Sequence, residues 1–318
     1  LLLQYPSIIR STRLALLLCA LVTTHACSTP TSPPSPPTSQ VATGIRDVTD
    51  EAGRKLALPL NIERIVSLAP NLTEIVYAVG AGDRLVGNTD YCDYPAQAKQ
   101  VAKIGDTMHP SVERIIALKP QVVLVSTASQ LEVFAKQLDQ QGIVVYVTNP
   151  RSLDEIFRSI TAFGEMFGSA EQAGRVAADL RKRSDAVATA LGGVTPVRVF
   201  YQVADEPLYT IGREAYLTDL VRRAGGISVT ADVPDAFPRY SDEAALSAKP
   251  EAIILPTGGT MGTANSTVAA PLRDSPAVRN NRVYKINDDY LSRPGPRLVD
   301  GLEALARALH PDAFATLK

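Results

Sequence analysis

Short runs of consecutive apolar residues alternate along most of this chain with longer stretches in which apolar side chains recur every three or four positions. The runs suit strands buried on both faces, and the longer stretches suit helices with one covered face. Strands are predicted at 65–69 (IVSLA), 84–87, 122–126, 143–147, 198–203, 252–255 and 282–286. Between them, helices are predicted at 71–80, 112–118, 130–140, 152–167, 216–224, 243–248 and 296–309. Ser111 caps the second of these, while Asn71 with Glu74, and Ser152 with Glu155, read as capping boxes. Residues 45–60 read as a hairpin turning at 51–54, and 88–95 (NTDYCDYP) as a polar, aromatic loop at a strand end.

One stretch is longer than the rest. Residues 169–193 (SAEQAGRVAADLRKRSDAVATALGG) open with Ser169 and Gln172 in capping-box spacing, continue in strong helix formers and stop at Gly192-Gly193. At 1.5 Å per residue such a helix reaches roughly 33 Å, about the width of a small domain. It lies near the middle of the chain with strand and helix patterns on both sides.

Those two sides echo each other. SVERIIALKPQVVLV, starting at Ser111, and SDEAALSAKPEAIIL, starting at Ser241, share the capping serine, a glutamate two residues later (Glu113 and Glu243), the Lys-Pro pair and a following apolar strand. The expected fold is therefore α/β, with two pseudo-symmetric lobes joined by one long spanning helix. The boundaries are a leader at 1–27, a tether at 28–44, an N-terminal lobe at 45–168, the helix at 169–193 and a C-terminal lobe at 194–318.

The first 27 residues read as a secretory leader. Arg10 and Arg13 precede the apolar run 14–22, which is too short to span a bilayer, and small and polar residues lead to Cys27. A Pro/Ser/Thr tract follows Cys27, so this cysteine has the position of a bacterial lipoprotein acceptor and the tract that of an extended tether. Ordinary cleavage nearby is the alternative. Cys19 leaves with the leader, which gives Cys92 no disulfide partner.

Overall composition is that of a soluble globular chain of 318 residues, 45% hydrophobic and 20% charged, with a formal charge of −1. No basic field is available for nucleic acid. Catalytic patterns are also missing: there is no G-x-S-x-G elbow and no phosphate-binding loop, and beyond the leader the histidines are His109 and His310. An enzyme is not expected. Binding is better supported, because Tyr91, Tyr94, Tyr201, Tyr209, Phe237, Tyr240 and Tyr290 fall in loops or at strand ends in both lobes, where aromatic faces suit a flat ligand.

The segments IVSLAPNLTEIVYAVGAGDRLVG, TDYCDYPAQAKQVAKIGD and SVERIIALKPQVVLVS together resemble the periplasmic substrate-binding proteins of vitamin B12 and ferric-siderophore import, and within them the vitamin B12 branch. The resemblance covers residues 65–309. It implies a non-enzymatic, monomeric carrier that takes its ligand between rigid lobes and passes it to an ABC permease dimer with its ATPase. The ligand implied is cobalamin or a related corrinoid, with a ferric siderophore or haem as the alternative and no cofactor besides. A tethered sensor of the same fold is a further alternative.

By the same resemblance Tyr91, the Thr107-Met108 turn, Phe237, Tyr290 and Arg293 surround the cleft, joined by Tyr201 from the aromatic set. Glu113 and Glu243 dock on the permease, and Cys27 carries lipid that holds the protein to a membrane in the periplasm or at the cell surface. His109 and Cys92 are candidate ligands for cobalt or iron. The chain has no tryptophan, and Phe237 and Tyr290 stand where the B12-binding relatives carry tryptophan.

Overall fold

A computed structural model describes residues 44–126, 136–259 and 267–315, all within one compact unit. The leader, the tether and Cys27 lie outside the described residues. So does most of the helix expected at 130–140, of which residues 136–139 are helical.

Strands β1 (Ile45–Thr49) and β2 (Lys55–Pro59) form the expected antiparallel hairpin. Its turn is held by the buried Asp50 carboxylate, which accepts hydrogen bonds from the amides of Ala52 (3.1 Å) and Arg54 (2.8 Å) and from the Arg54 guanidinium. Strands β3 (Ile65–Ser67), β4 (Leu85–Asn88), β5 (Val122–Val125) and β6 (Val144–Val147) make a parallel sheet in the order β4-β3-β5-β6.

In the second half, β7 (Val197–Asp205), β10 (Ala252–Thr257) and β11 (Val283–Asn287) pair in parallel. The short β9 (Gly226–Ser228) joins β7 in parallel, and β8 (Leu208–Thr210) joins it antiparallel. Neither three-residue strand was expected from the sequence, because so short a segment shows no period of its own.

Both sheets are covered on both faces, which explains the unbroken apolar runs. On β5, Val122 and Leu124 belong to the largest core cluster, while Val123 and Val125 face a smaller one. On β10, Ala252 and Ile254 join the same large cluster, and Ile253 and Leu255 face a third. The large cluster thus runs through both halves, and it includes Leu180 and Val187 of the long helix.

That helix spans Ala170–Ala190, about 32 Å at 1.5 Å per residue. Near its start the Gln172 side-chain amide donates to the carbonyl of Ala78, at the end of helix Pro70–Ala78. Arg183, three turns on, is ion-paired to Asp300 at 2.6 Å and Glu303 at 2.9 Å on helix Leu298–Leu309. One rod therefore touches a helix from each half. Ser169 is its N-cap but its side chain makes no capping bond, so the capping box read there does not form: Gln172 is spent on the neighbouring helix.

The first helix corrects a second expectation. It begins at Pro70, and its N-cap is Ala69 without a side-chain bond; Asn71 and Glu74 lie inside it with their side chains engaged elsewhere. The last helix starts at Leu298, since Pro296 and Arg297 belong to the preceding turn.

The internal echo extends further than the sequence comparison reached. Ser111 accepts from the amide of Arg114 (3.3 Å) and Ser241 from that of Ala244 (3.2 Å), each capping its helix. Lys119 and Lys249 both end their helices in the left-handed region, at φ 47° and 43°. After the proline, the amides of Gln121 and Glu251 donate to Arg64 and Arg198, each just before or within the neighbouring strand. Those two arginines return the contact, Arg64 donating to the carbonyl of Leu118 and Arg198 to that of Ala248. The capping serine, the left-handed lysine and the bracing arginine perform the same tasks in both halves.

Candidate functional site

The two halves meet where β3 and β5 end. Asn71, buried in the first turn of its helix, donates to the carbonyl of Pro294 at 3.3 Å, and a Cβ on Gly295 would lie only 3.2 Å from the Asn71 carbonyl oxygen. A side chain at 295 would crowd that approach by a few tenths of an ångström.

Beside this contact lies a cluster of charges. Arg293 is 2% exposed, with Nη1 at 3.1 Å from Glu74 and 2.7 Å from Asp93, and Nη2 at 2.7 Å from Asp289. Arg297 binds Glu74 through two parallel hydrogen bonds, Nε to Oε2 at 2.9 Å and Nη2 to Oε1 at 2.6 Å. Burial opposes the charge on both arginines, but the carboxylates outweigh it, and both are held above the ordinary arginine value. The Arg297 guanidinium also sits 4.2 Å from the ring centre of Tyr94 in the first half and 5.7 Å from that of Tyr290 in the second.

A second set of cross-contacts lies at the start of helix Leu153–Met166. Arg151 is 3.5 Å from Glu214; Arg223 pairs with Asp154 (2.6 Å) and Asp219 (2.8 Å); and Asp219 accepts from the amide of Leu153 at 3.0 Å. Burial would raise the Asp219 value, yet the hydrogen bonds from Leu153, Arg222 and Arg223 win and hold it below the usual carboxylate range. Fixed ion pairs on two sides resist relative movement of the two sheets.

The predicted site residues divide. Tyr94, Met108 and Phe237 are large apolar side chains at the surface, 49%, 68% and 46% exposed. Tyr91, Thr107 and Tyr290 are half-buried, and Thr107 Oγ1 is buried with no hydrogen-bond partner among the described residues. Tyr290 and Tyr94 are brought together through Arg297. Tyr201 is elsewhere: it is buried in the large core cluster, where desolvation, with the nearby Tyr216 and Asp288, pushes its phenol far up. Arg293 is buried with its charge committed to three carboxylates.

Cys92 is buried, its sulfur 3.2 Å from the hydroxyls of Thr73 and Thr89, whereas His109 is exposed beside Asp106. No three His, Cys, Asp or Glu side chains converge as a metal centre among the described residues. Glu113 and Glu243 are exposed in the first turns of their helices, and neither carboxylate is tied to another side chain among the described residues. Sequence reasoning missed Glu74, Asp93, Asp289 and Arg297; Tyr94 stood in the aromatic set without a role.

Residues 65–290 match the periplasmic binding protein family. The chain belongs to that family. Its members are non-enzymatic ligand carriers, as the absence of catalytic patterns led us to expect. The chain is 32% identical over 255 residues to the vitamin B12-binding protein of Vibrio cholerae, covering 80% of this chain and 91% of that one. To an uncharacterized ABC transporter substrate-binding lipoprotein of Bacillus subtilis it is 32% identical over 313 residues, 94% of this chain and 97% of the relative.

Among solved structures, the periplasmic vitamin B12 binding protein of Vibrio cholerae superposes with a TM-score of 0.70 at 31% identity, covering 81% of this chain and all of that one. A periplasmic heme-binding protein from Roseiflexus sp. RS-1 superposes with a TM-score of 0.69 at 27% identity, covering 80% and 100%. The expected two-lobed α/β fold is that of these binding proteins. Among the described residues no helix is long and apolar enough to cross a membrane.

Proposed function

We propose that this periplasmic binding protein captures cobalamin or a related corrinoid between its lobes and delivers it to an ABC permease dimer with its ATPase. The observation that carries the reading is the likeness to the Vibrio cholerae vitamin B12-binding protein, in sequence across 91% of that relative and in fold across all of it. The lobes are residues 45–168 and 194–318, with 169–193 as the rod between them. Tyr91, Thr107, Met108, Phe237 and Tyr290 line the ligand surface with Tyr94; Arg293 holds Asp93 of the loop that carries Tyr91 and Tyr94, and Tyr201 contributes only through the core. Exposed aromatic and thioether surface on both lobes suits the faces and edges of a flat macrocycle.

Haem is the second reading, because the Roseiflexus heme-binding structure superposes as well as the B12-binding one. In that case exposed His109 is the side chain available to the iron. Glu113 and Glu243, alike in place and both exposed, are the docking pair for two like halves of a permease. Cys27 carries the lipid that anchors the chain by its tether, in keeping with the Bacillus relative named a lipoprotein.

The test is titration of the chain lacking residues 1–27 with cyanocobalamin, haem and ferric siderophores, followed by tyrosine fluorescence and calorimetry. Saturable one-to-one binding of cyanocobalamin supports the corrinoid; haem binding with cyanocobalamin silent transfers the site to haem; and no binding at all rejects both.

A further inference from the structure

The loop that supplies Tyr91, Asp93 and Tyr94 folds around a single ammonium group. Lys103 Nζ lies 2.8 Å from Asn88 Oδ1, 3.0 Å from the carbonyl oxygen of Thr89, 3.0 Å from that of Cys92 and 3.3 Å from that of Ala98. All four acceptors come from residues 88–98, all are uncharged, and among the described residues no carboxylate pairs with this lysine. Four oxygens with partial negative charge converge on one point, an arrangement that costs energy unless a cation occupies it.

The segment is anchored at Asn88 by its pairing with Ser67 and its bonds to Ala102 and Ile104, and at Cys92 by Thr73, while Lys103 reaches four of its residues at once. Asn88 forms an isolated bridge with Lys103; Asp90 donates to the carbonyl of Gly105; and the Asn88 amide side chain donates to Ala98. What the loop then presents is specific: the Asp93 carboxylate at 2.7 Å from Arg293, and the Tyr94 ring at 4.2 Å from the Arg297 guanidinium.

We infer that Lys103 is a positioning residue for ligand capture, its ammonium holding residues 88–98 in the conformation that sets Tyr91, Asp93 and Tyr94 against the opposite lobe. This rests on the cleft reading proposed above. An ammonium at the centre of the loop preorganises the aromatic surface, so the ordering is complete before the ligand arrives rather than charged against its affinity. A planar guanidinium has its donors spread in a fork and does not meet four oxygens converging on one point, which makes lysine the fitting cation here.

Three forms of the chain lacking residues 1–27 separate this role from plain space filling: Lys103→Met, which keeps the length without the charge; Lys103→Cys; and Lys103→Cys after reaction with 2-bromoethylamine, which rebuilds a lysine-length ammonium. Cys92 is buried and shielded from that reagent in the folded chain. Amide exchange over residues 88–98 and affinity for cyanocobalamin and for haem are measured on each, with thermal midpoints as the control.

Lys103→Met and unmodified Lys103→Cys are expected to exchange faster over 88–98 and to bind the active probe about tenfold or more weaker, as loss of charge-assisted hydrogen bonds implies. Their thermal midpoints should fall, since the four oxygens lose their cation, with the chain still folded at the assay temperature, and aminoethylation should restore all three readouts. Wild-type exchange and affinity in Lys103→Met overturn the inference, as does failure of the restored ammonium to recover them. If the wild-type chain binds neither probe, the corrinoid and haem readings fall, while the exchange comparison still decides the role of Lys103.

Discussion

Arg297 and Glu74 are 223 positions apart in the chain and joined by two parallel hydrogen bonds, with the Glu74 side chain 1% exposed and Arg293 on its other side. One carboxylate thus serves two arginines across the junction of the halves. Removing it leaves both cations partly uncompensated in a buried site, which typically costs about 3–5 kcal/mol. Glu74→Ala should lower the denaturant midpoint accordingly, with Arg297→Met smaller because the stranded charge is then shared with Arg293. A loss below about 1 kcal/mol in Glu74→Ala would show the cluster to be incidental to stability.

That pair also marks the limit of what could be read beforehand. Capping serines, Lys-Pro helix ends and apolar runs are local signals, so the strands, the rod and the internal echo were legible. Glu74 has a local reading too, as the partner of Asn71 in a capping box, and that reading concealed its real partners two hundred residues away. Strands β8 and β9 exist because β7 offers them an edge, and nothing within three residues announces that. Lys103 had no pattern around it: three of its four acceptors are backbone carbonyls, identical in every sequence, and the fourth, Asn88 Oδ1, lies fifteen residues away.

Asp219 gives an acid-side prediction. Its folded value lies below the ordinary 3.8, so its stabilising contribution is complete above that value and is lost as pH falls through the lowered one. The stability gap between wild type and Asp219→Asn should be constant from pH 5 to neutrality and close at lower pH. A gap that stays unchanged down to pH 2, read by urea unfolding, contradicts the assignment.

Glu51 behaves in the opposite sense. Burial raises its value above the ordinary 4.5, and the hydrogen bonds from Ser159 and the Asn149 amide only partly offset this. Its contribution is therefore fully present below the unfolded value and fades as pH rises through the folded one. Glu51→Gln should raise the thermal midpoint near pH 8 relative to wild type and do less at pH 4. A uniform loss at both pH values would mean that the ionised carboxylate is needed.

In the proposed docking pair, Glu113 and Glu243 are exposed in the first turns of their helices, so replacing both with alanine should leave the thermal midpoint within about a degree, as expected for surface positions. Association with the permease should weaken in the double variant, most at low ionic strength, and ligand affinity should hold. Measured by ligand-stimulated ATPase activity in proteoliposomes, wild-type stimulation by the double variant removes the docking role.

Phe237 and Tyr201 entered the aromatic set on equal terms, and the fold separates them. Phe237 exposes nearly half its surface, while Tyr201 is sealed among core residues with its backbone carbonyl accepting a hydrogen bond from Thr210. Phe237→Ala should therefore weaken ligand binding by about tenfold, the order expected for one aromatic contact plus its buried area, at an unchanged thermal midpoint. Tyr201→Ala should instead cost roughly 3–5 kcal/mol of stability through the cavity it leaves, with affinity per folded molecule close to wild type. The reverse pattern, a stable Tyr201→Ala that no longer binds, would require the core around β7 to open when ligand enters.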